Sequence, residues 1–590
     1  MLPTLTAPFP LWDINESCFL NTIDRANTAI YADIQILEGL TYRLNTNYDT
    51  RFLENGSYYS TKHGVYANVN GQARIERNRY QDYLLENILN YNKDFTAKHH
   101  FDATLMQSLS GTRYNSVAFT GKGMVNDDYG FDAISNSIEF TKPSYGISER
   151  ALVSFMGRVR YSYDNRYLFS AAVRVDGSSV FGKDNKYGIF PSGAFAWRIN
   201  KEPWMNSSEK WLSNLKLRLS YGEVGNQAVD PYTTLGTTST YYNEFTNSVI
   251  GFLPTTTLYN PNLKWETSAT SNIGLDFGFF KDRINGSVEV YNTDTRDLLV
   301  TRQIPSSTGY DSQLANLGKV NNRGLELTLN TIPISTRDFQ WDLDFTWSMN
   351  RNKIVEIDGR VDENGEPIND LNNNWFIGKP MSVYYDYQMI GIWQNEDVGE
   401  IPDSNMPDAL PGDIRLADLD EDGKISEGDK ILYERDPKWI GGLSTAFYWK
   451  GIDLSAAFDF QYGGYTKNGL LYDLSYGGTF NGKGNGMKRE YWTEENHCNT
   501  APRPVMQTTM PAYISTIGYQ DASFIRLRNL TLGYTFPKAL ISKVKLSSLR
   551  FYVSGTNVWY KTDVYGYGPG TLASQYPQSR MWLFGVNVSF

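Results

Sequence analysis

Apolar and polar residues alternate along most of this chain, and helical periodicity is scarce. Between Phe339 and Asn350 every odd-numbered residue is large and apolar, whereas every even-numbered residue is polar. Because successive side chains of a β-strand point to opposite faces of the sheet, this pattern predicts a strand with one apolar and one polar face. Repetition of the pattern restricts the chain to an all-β fold whose sheet meets two different environments.

About 17 segments show this alternation, each roughly 10–15 residues long, which is near the length that a tilted membrane strand requires. The segments are predicted to begin near Asn27, Leu40, Arg79, Lys98, Glu149, Arg166, Lys186, Ser213, Glu266, Arg283, Asn316, Phe339, Lys438, Gly451, Ser523, Ser548 and Arg580.

The connections between these segments come in two sizes. Tight turns are predicted at Glu38–Gly39, Asp164–Asn165, Lys281–Asp282 and Lys450–Gly451. The long connections are rich in Gly, Asn, Asp and Tyr, and they span residues 111–148, 224–265, 351–437 and 463–522. Short turns on one side and long loops on the other are typical of an outer-membrane barrel.

The composition excludes several other classes of protein. The 590 residues carry 55 basic and 65 acidic side chains, a net charge of −10, so no nucleic-acid partner is expected. Two cysteines, Cys18 and Cys498, exclude a disulfide scaffold and any multi-cysteine metal cluster, and they leave open one long-range bridge. The sequence contains no run of about 18 apolar residues, so no transmembrane helix is expected. The first residues also lack the pattern of a secretory signal.

Alternation alone also fits a soluble β-sandwich or a propeller. Two features favour a transmembrane barrel. The polar faces consist mainly of Asn, Ser, Asp, Gln and Gly, rather than the Lys and Glu of a sandwich surface. The last strand alternates from Trp582 to the terminal Phe590, and Trp439, Trp449 and Tyr534 lie near strand ends, as in an aromatic girdle. We therefore predict an all-β, transmembrane antiparallel β-barrel with long extracellular loops.

Several segments, taken in order, resemble the SusC/RagA-type TonB-dependent outer-membrane transporters of Bacteroidota. The resemblance runs from about residue 27 to residue 590. It is densest in VRVDGSSVFGKDNKYGIFPSGAFAWRI (173–199), SYGEVGNQ (220–227), NPNLKWETSATSNIGLDFGFF (260–280), NLGKVNNRGLELTL (316–329), GDIRLADLDEDGKISEGDKI (412–431) and YPQSRMWLFGVNVSF (576–590).

This resemblance implies a barrel of about 22 strands, occluded by an N-terminal plug. It also implies a SusD-like surface lipoprotein as an outer lid, and force delivered by TonB–ExbB–ExbD through the plug. The implied location is the cell outer membrane, in contact with lipid. The implied cargo is an oligosaccharide, or a peptide, and no enzyme activity is expected.

The predicted strand count departs from the family. Barrels of this kind have an even number of strands, because both ends return to the periplasm, whereas the count here is odd. We therefore expect the C-terminal part of a transporter, without the plug domain, the signal peptide, the TonB-contacting segment or roughly the first five strands. Residues 1–26 are assigned to an extracellular loop or strand remnant, and residues 27–590 to the barrel. Open edges in lipid would prevent such a part from sealing a pore alone.

One loop carries a candidate metal site. The segment from Asp418 to Asp429 follows the oxygen-ligand spacing of a calcium loop, with Gly423 at position six. The predicted ligands are Asp418, Asp420, Asp422, the Lys424 backbone carbonyl, Ser426 and Asp429. Position 12 is Asp rather than Glu, so weak binding of a structural Ca²⁺ at about 10⁻⁴–10⁻³ M is expected. The alternative is an acidic turn that holds no ion.

No catalytic or cofactor-binding residues are predicted. His99 and His100 are expected on opposite strand faces, and His497 with Cys498 is expected to be solvated. Asp342 and Asp344 share a strand face and are interpreted as lumen-lining rather than as a glycosidase pair. The segment Gly477–Gly484 lacks the Ser or Thr that a phosphate-binding loop needs after its Lys. Loop tyrosines that could stack on sugars are Tyr241, Tyr242, Tyr472, Tyr476 and Tyr491.

Two other functions remain open on the sequence. The chain could be a surface glycan-binding or adhesive β protein without transport activity. It could also be a secreted glycoside hydrolase, although no catalytic motif supports that reading.

Overall fold

The computed structural model describes residues 10–242, 249–476, 490–503, 512–566, 568–570 and 577–590. No helix within these ranges combines the length and the apolarity needed to cross a membrane.

Within the described residues, one large sheet contains 18 strands. One of them, Glu139–Phe140, is only two residues long, and the others are long strands that we label in chain order. They are β1 (Ser17–Leu37), β2 (Leu40–Tyr59), β3 (Gln72–Thr96), β4 (His99–Lys122), β5 (Ser144–Tyr163), β6 (Tyr167–Ser178), β7 (Tyr187–Arg198), β8 (Leu212–Asn226), β9 (Glu266–Phe279), β10 (Ile284–Arg296), β11 (Lys319–Ser335), β12 (Phe339–Glu356), β13 (Trp439–Trp449), β14 (Ile452–Tyr462), β15 (Phe524–Thr535), β16 (Ser548–Thr562) and β17 (Met581–Ser589).

Each strand predicted from the alternation is present, and most begin within one residue of the predicted position. The largest difference is in β1, which begins at Ser17, ten residues before the expected Asn27. Strands β3 and β5 also begin earlier than predicted, at Gln72 and Ser144. The extension of β1 carries polar and apolar residues on both faces, so the two-residue period that identifies a half-apolar strand is lost there.

The residues group into two compact units. The first unit comprises Met1–Ala196, Ser220–Thr270 and Thr295–Lys319. Within it, β1 to β6 form an antiparallel meander in which each strand pairs with the next. The turn between β5 and β6 places Asp164 and Asn165 at φ values of 53° and 51°. Two consecutive residues with positive φ form the turn geometry that suits the twist of a tight hairpin.

The second unit comprises Trp197–Leu219, Ser271–Asp294 and Val320–Phe590. Here β12 to β17 form a second antiparallel meander, again with each strand paired to its successor. The predicted turn at Lys450–Gly451 joins β13 to β14, and both of its residues have positive φ.

The long loops contain short strands and helices of their own, which the alternation did not predict. In the first unit, Thr238–Tyr242 pairs with Val249–Pro254, and Ser312–Asn316 pairs with Leu299–Gln303 and with Thr257–Leu258. In the second unit, the pairs are Val383–Tyr387 with Lys430–Glu434, Met389–Ile392 with Ile414–Leu416, and Tyr465–Lys467 with Tyr519–Asp521.

The helices in the described ranges are short. The α-helices are Pro10–Asn15, Gly469–Tyr476 and Lys538–Ile541. The 3₁₀ helices are Ala67–Val69, Gly130–Asn136, Ile199–Lys201, Pro203–Ser208, Ser306–Thr308, Asn395–Gly399, Ile401–Asp403, Glu427–Asp429, Ile514–Gly518 and Ser542–Val544.

Buried apolar clusters lie in the loops and at their junctions with the strands. In the second unit, one cluster joins Ile392, Ile414, Leu416, Leu471, Trp492, Ile514 and Ile517. In the first unit, another joins Val180, Phe181, Phe190, Val229, Leu263 and Trp265. The loops of each unit are therefore packed structures with apolar cores, which gives fixed positions to the side chains they carry.

Candidate functional site

One face of the second unit's meander is apolar and uncovered. A single register row crosses six strands through Trp341, Phe447, Leu454, Leu532, Val553 and Phe584. Leu454, Leu532 and Phe584 are 37%, 48% and 80% exposed. We call this surface the apolar face.

Ring contacts on the apolar face join side chains of different strands of the same sheet. The rings of Trp341 and Phe447 are stacked with centroids 5.7 Å apart, and those of Phe345 and Phe460 lie 6.3 Å apart. Each pair joins side chains of the sheet itself, so these contacts leave the outer side of the rings open. An exposed apolar surface of this extent requires an apolar environment, as the hydrocarbon of a bilayer provides.

The first unit has a corresponding exposed apolar surface. Its exposed members on β4, β5 and β6 are Leu105, Phe155, Val159, Phe169 and Val173. The same side of the sheet also carries a polar group of three residues. The Tyr42 hydroxyl donates to Asn87 Oδ1 at 2.6 Å, and Asn87 Nδ2 donates to Gln107 Oε1 at 2.6 Å. Because these polar atoms bond to one another, their cost in an apolar environment is reduced.

The opposite face of the second unit is polar and carries paired charges. In the row beside the apolar one, Asp342, Ser455, Thr531 and Ser554 lie on successive strands, together with Ala446. Arg526 lies directly opposite Asp459 and donates two hydrogen bonds to its carboxylate, at 3.0 and 2.6 Å. Such two-point pairs hold a guanidinium in one orientation while leaving the face hydrophilic.

A second ion pair on this face spans an intervening strand. Arg550 on β16 donates to both carboxylate oxygens of Asp453 on β14, at 3.0 and 2.5 Å. The pair passes over Gly533 of β15, where a Cβ atom would lie 2.5 Å from Arg550 Nη2. Glycine at this position leaves room for the two charged side chains, whose ends a methyl group would displace.

A third cluster of charges lies on β8, β9 and β10 within the second unit. Arg218 Nη2 donates to Asp276 Oδ1 at 2.8 Å and to Glu289 Oε1 at 2.7 Å. Sequence reasoning missed both ion pairs and this cluster, because strand register determines which Arg meets which acid. The sequence did contain one signal, because these charged residues alternate with apolar ones and are therefore predicted to lie on the polar face.

The predicted calcium ligands are only partly brought together. One carboxylate oxygen from each of Asp418, Asp420 and Asp422 lies within 4.8 Å of the others. Gly423 has φ of 78°, and its amide donates to Asp418 Oδ2 at 3.0 Å. Lys424 donates its backbone amide to Asp422 Oδ1 at 2.8 Å.

Asp429 is fully buried and is used by the loop itself. Its Oδ1 accepts the amide of Leu419 and its Oδ2 accepts the amide of Ser426, both at 2.7 Å. The backbone hydrogen bond from Ser426 is the main reason that the pKa of Asp429 is lowered. The Ser426 hydroxyl in turn accepts the amide of Gly428 and caps the turn Glu427–Asp429. Asp429 and Ser426 thus close the loop, while the three other carboxylates face one another.

Asp386 connects three loop segments, and no sequence motif indicated it. Its Oδ2 accepts hydrogen bonds from Tyr519 Oη at 2.8 Å, Lys467 Nζ at 3.1 Å and Ser515 Oγ at 3.2 Å. Burial raises the pKa of this carboxyl, but the hydrogen bonds from Tyr519, from the Tyr387 amide and from Lys467 outweigh burial and lower it. Partners 81 to 133 residues away are invisible to local sequence patterns.

The remaining candidates take ordinary places. His99 bonds to Tyr161 and His100 to Asp94, so the two rings have different partners. His497 Nδ1 lies 3.3 Å from Glu396 Oε1, and the Cys498 sulfur lies 3.1 Å from Thr500 Oγ1. Asp342 accepts a hydrogen bond from Gln340.

The loop tyrosines that were predicted to stack on sugars lie in different environments. Tyr472 packs against the apolar loop cluster that contains Leu471, whereas Tyr491 is exposed. The side chains of Tyr241, Tyr242 and Tyr476, and the segment 477–484, lie outside the described residues.

Comparison with known proteins agrees with this geometry. A family profile described as "TonB dependent receptor-like, beta-barrel" matches residues 12–558. The chain is 32% identical to TonB-dependent receptor P3 of Formosa agariphila, over 96% of the chain and 58% of that protein. It is also 32% identical to TonB-dependent receptor SusC of Bacteroides thetaiotaomicron, over 75% of the chain and 44% of that receptor. The chain thus spans less than two thirds of the length of these curated relatives.

A solved structure of the RagAB peptide transporter has the same fold. It superimposes with a TM-score of 0.82 at 24% identity, covering 98% of this chain and 63% of that one. The predicted fold class, a transmembrane antiparallel β-barrel, is confirmed, as is the predicted location in the outer membrane. The matched family is one of transporters rather than enzymes. From residue 12 to residue 558, the chain belongs to the β-barrel family of TonB-dependent receptors, of the SusC/RagA type.

Proposed function

We propose that this chain forms part of the barrel wall of an outer-membrane importer that moves oligosaccharides from the cell surface to the periplasm. The observation that carries the proposal is the two-sided sheet, with an uncovered apolar face and, behind it, rows of hydroxyls and paired charges. The apolar face suits lipid, and the polar face suits a water-filled interior through which hydrated solutes pass.

Family membership supports the proposed energy source and the proposed lid. Import is driven by TonB–ExbB–ExbD, acting through the part of the longer relatives that this match does not cover. A SusD-like surface lipoprotein closes over the long loops. The packed apolar clusters within those loops support this role, because a lid needs a fixed surface on which to dock.

The test is energy-dependent uptake in the source cell. An in-frame deletion of the gene should abolish uptake of a labelled oligosaccharide, and a protonophore should abolish uptake in the wild type. If the deletion strain binds less glycan at its surface but imports it at the wild-type rate, the chain is an adhesive glycan-binding protein instead. Selective loss of peptide import would reassign the cargo.

We also propose that the loop 418–429 holds a structural Ca²⁺. Three carboxylates facing one another within 4.8 Å repel unless a cation lies between them. Burial and the neighbouring acids Asp422, Asp429 and Asp418 raise the pKa of Asp420, despite an opposing hydrogen bond from the Asp422 amide. The backbone bonds of Asp429 would preform the loop, and the ion would fix it on the surface beneath the lid.

A further inference from the structure

The second unit contains a cavity of about 930 Å³ that is lined by its long loops and by the end of β16, where Tyr560 lies in register with Arg526 of the polar face. Its lining comes from residues 388–391, 499–500, 516–520 and 560–566, together with single residues such as Tyr433 and Tyr465. This volume is at the upper end of the roughly 300–1,000 Å³ range of small-molecule pockets. The loops that form it are anchored by the apolar cluster around Leu471 and Ile517, which also reach the cavity wall.

The cavity has an aromatic wall with fixed geometry. The rings of Tyr433 and Tyr519 are stacked with centroids 4.1 Å apart and planes 8° apart. Tyr465 packs edge-on against Tyr433 at 5.2 Å. Tyr433 is only 7% exposed, whereas Tyr465, Tyr560 and Tyr565 are 41%, 36% and 50% exposed. The stack of Tyr433 and Tyr519 therefore supports the ring of Tyr465, and the exposed parts of Tyr465, Tyr560 and Tyr565 remain open to a ligand.

The polar groups of the lining differ in whether they are already engaged. The Tyr519 hydroxyl donates to Asp386, and the Tyr433 hydroxyl donates to the Tyr387 carbonyl. By contrast, the hydroxyls of Tyr465 and Tyr560 form no hydrogen bond with any residue in the described ranges. Both groups donate and accept, so they can pair with ligand hydroxyls.

The charge of the lining is small and negative. Among its described residues, Asp563 is the single charged side chain. The nearby Lys467 is bonded to Asp386 and is not part of the lining. An anionic ligand would therefore meet a carboxylate with no cation to balance it.

We propose that this cavity binds neutral sugar units of the cargo, with Tyr465 and Tyr560 as stacking platforms. The inference rests on the proposed import of oligosaccharides, and it specifies the binding site and the class of oligosaccharide. A sugar ring offers C–H groups to an aromatic face and hydroxyls at its rim, which matches open tyrosine rings beside free hydroxyls. Peptide recognition commonly uses a free strand edge or a site for a charged terminus. Apart from Asp563, the polar part of this lining consists instead of tyrosines with amide and hydroxyl side chains.

The test uses chromosomal variants in the source cell and the intact complex purified from its outer membrane. The probes are maltohexaose, cellohexaose and xylohexaose as neutral chains, hexagalacturonate as an anionic chain, and an uncharged hexapeptide. Calorimetry should show at least one neutral chain binding about tenfold more tightly than hexagalacturonate. Tyr465→Ala and Tyr560→Ala should each weaken that binding by about tenfold.

Two further variants separate stacking from folding and from charge. Tyr465→Phe keeps the ring and should retain most of the affinity, whereas Asp563→Lys should narrow the preference for neutral over anionic chains. Tyr129→Ala is the matched control, because Tyr129 is an exposed loop tyrosine outside the lining. Equal binding by the Tyr465→Ala, Tyr560→Ala and Tyr129→Ala proteins would overturn the inference. Tighter binding of hexagalacturonate or of the peptide than of every neutral chain would also overturn it.

Failure of this inference is distinguishable from failure of the proposed function. If wild-type cells import a neutral chain and the tyrosine variants import it equally fast, import stands and the cavity is not its binding site. If wild-type cells import none of the probes by an energy-dependent route, the cavity inference falls together with the import of oligosaccharides.

Discussion

Arg550 reaches Asp453 across an intervening strand because Gly533 places only a hydrogen atom between them. Side chains of 26% and 20% exposure form this pair, so it lies partly out of bulk water and is screened less than a surface pair. A glycine inside a strand is normally unfavourable. Here it is explained by the path of two charged side chains.

Gly533→Ala should therefore destabilise the protein by up to about 1 kcal/mol, since the new methyl group displaces the ends of both charged side chains and weakens their ion pair. The measurement is the temperature at which the purified protein loses its folded band in semi-denaturing electrophoresis. Gly157→Ala is the control, because a Cβ there would meet only Leu105 at 3.6 Å. Equal midpoints for the two variants would contradict this role for Gly533.

The hydrogen bonds of Asp386 predict that the stability of the loops depends on pH. Its pKa in the folded protein is lowered, so its hydrogen bonds stabilise the loops fully above about pH 4 and are lost as pH falls through the folded-state pKa. Asp386→Asn should lower the thermal midpoint at pH 7 and flatten its fall towards acid pH. Glu495→Gln, at an exposed loop carboxylate, should change neither. A wild-type acid profile in Asp386→Asn would contradict the assignment.

Among the elements, the loop 418–429 gives the sharpest test. With Ca²⁺ bound, proteases should cut slowly between residues 400 and 437, and a chelator should accelerate the cutting. The double variant Asp420→Asn, Asp422→Asn should be cut quickly in both conditions, whereas Asp408→Asn, in the same loop but outside the motif, should behave as wild type. Identical cleavage with and without Ca²⁺ in the wild type would remove the proposed ion.

The strands were predictable because each one meets lipid on one side and water on the other. That difference imposes a two-residue period, as in β12, which begins at Phe339 as expected. The loop strands were not predictable. The pair Val383–Tyr387 and Lys430–Glu434 is short and aromatic, and it owes its conformation to packing between distant segments. Arg526–Asp459 is hidden for a similar reason, because parity places both residues on one face and only register makes them neighbours.

For the whole molecule, the two faces should respond oppositely to a charge. Phe345→Lys places a cation on the apolar face and should cost about 2–4 kcal/mol at the depth of the bilayer centre. Thr346→Lys, one residue further on the polar face, should be tolerated. The readout is the amount of folded, heat-modifiable protein in the outer membrane. Equal loss, or equal tolerance, would contradict the assignment of the faces.

The most direct test measures the environment of each residue from Phe339 to Asn350. Spin labels are attached at single cysteines introduced into a background without Cys18 and Cys498, and the protein is studied in native outer-membrane vesicles. Labels at odd positions should be reached by oxygen and labels at even positions by a water-soluble nickel complex, in strict alternation. If the nickel complex reaches both sets equally, or if neither set is open to oxygen, the apolar face does not touch lipid and the importer account is wrong.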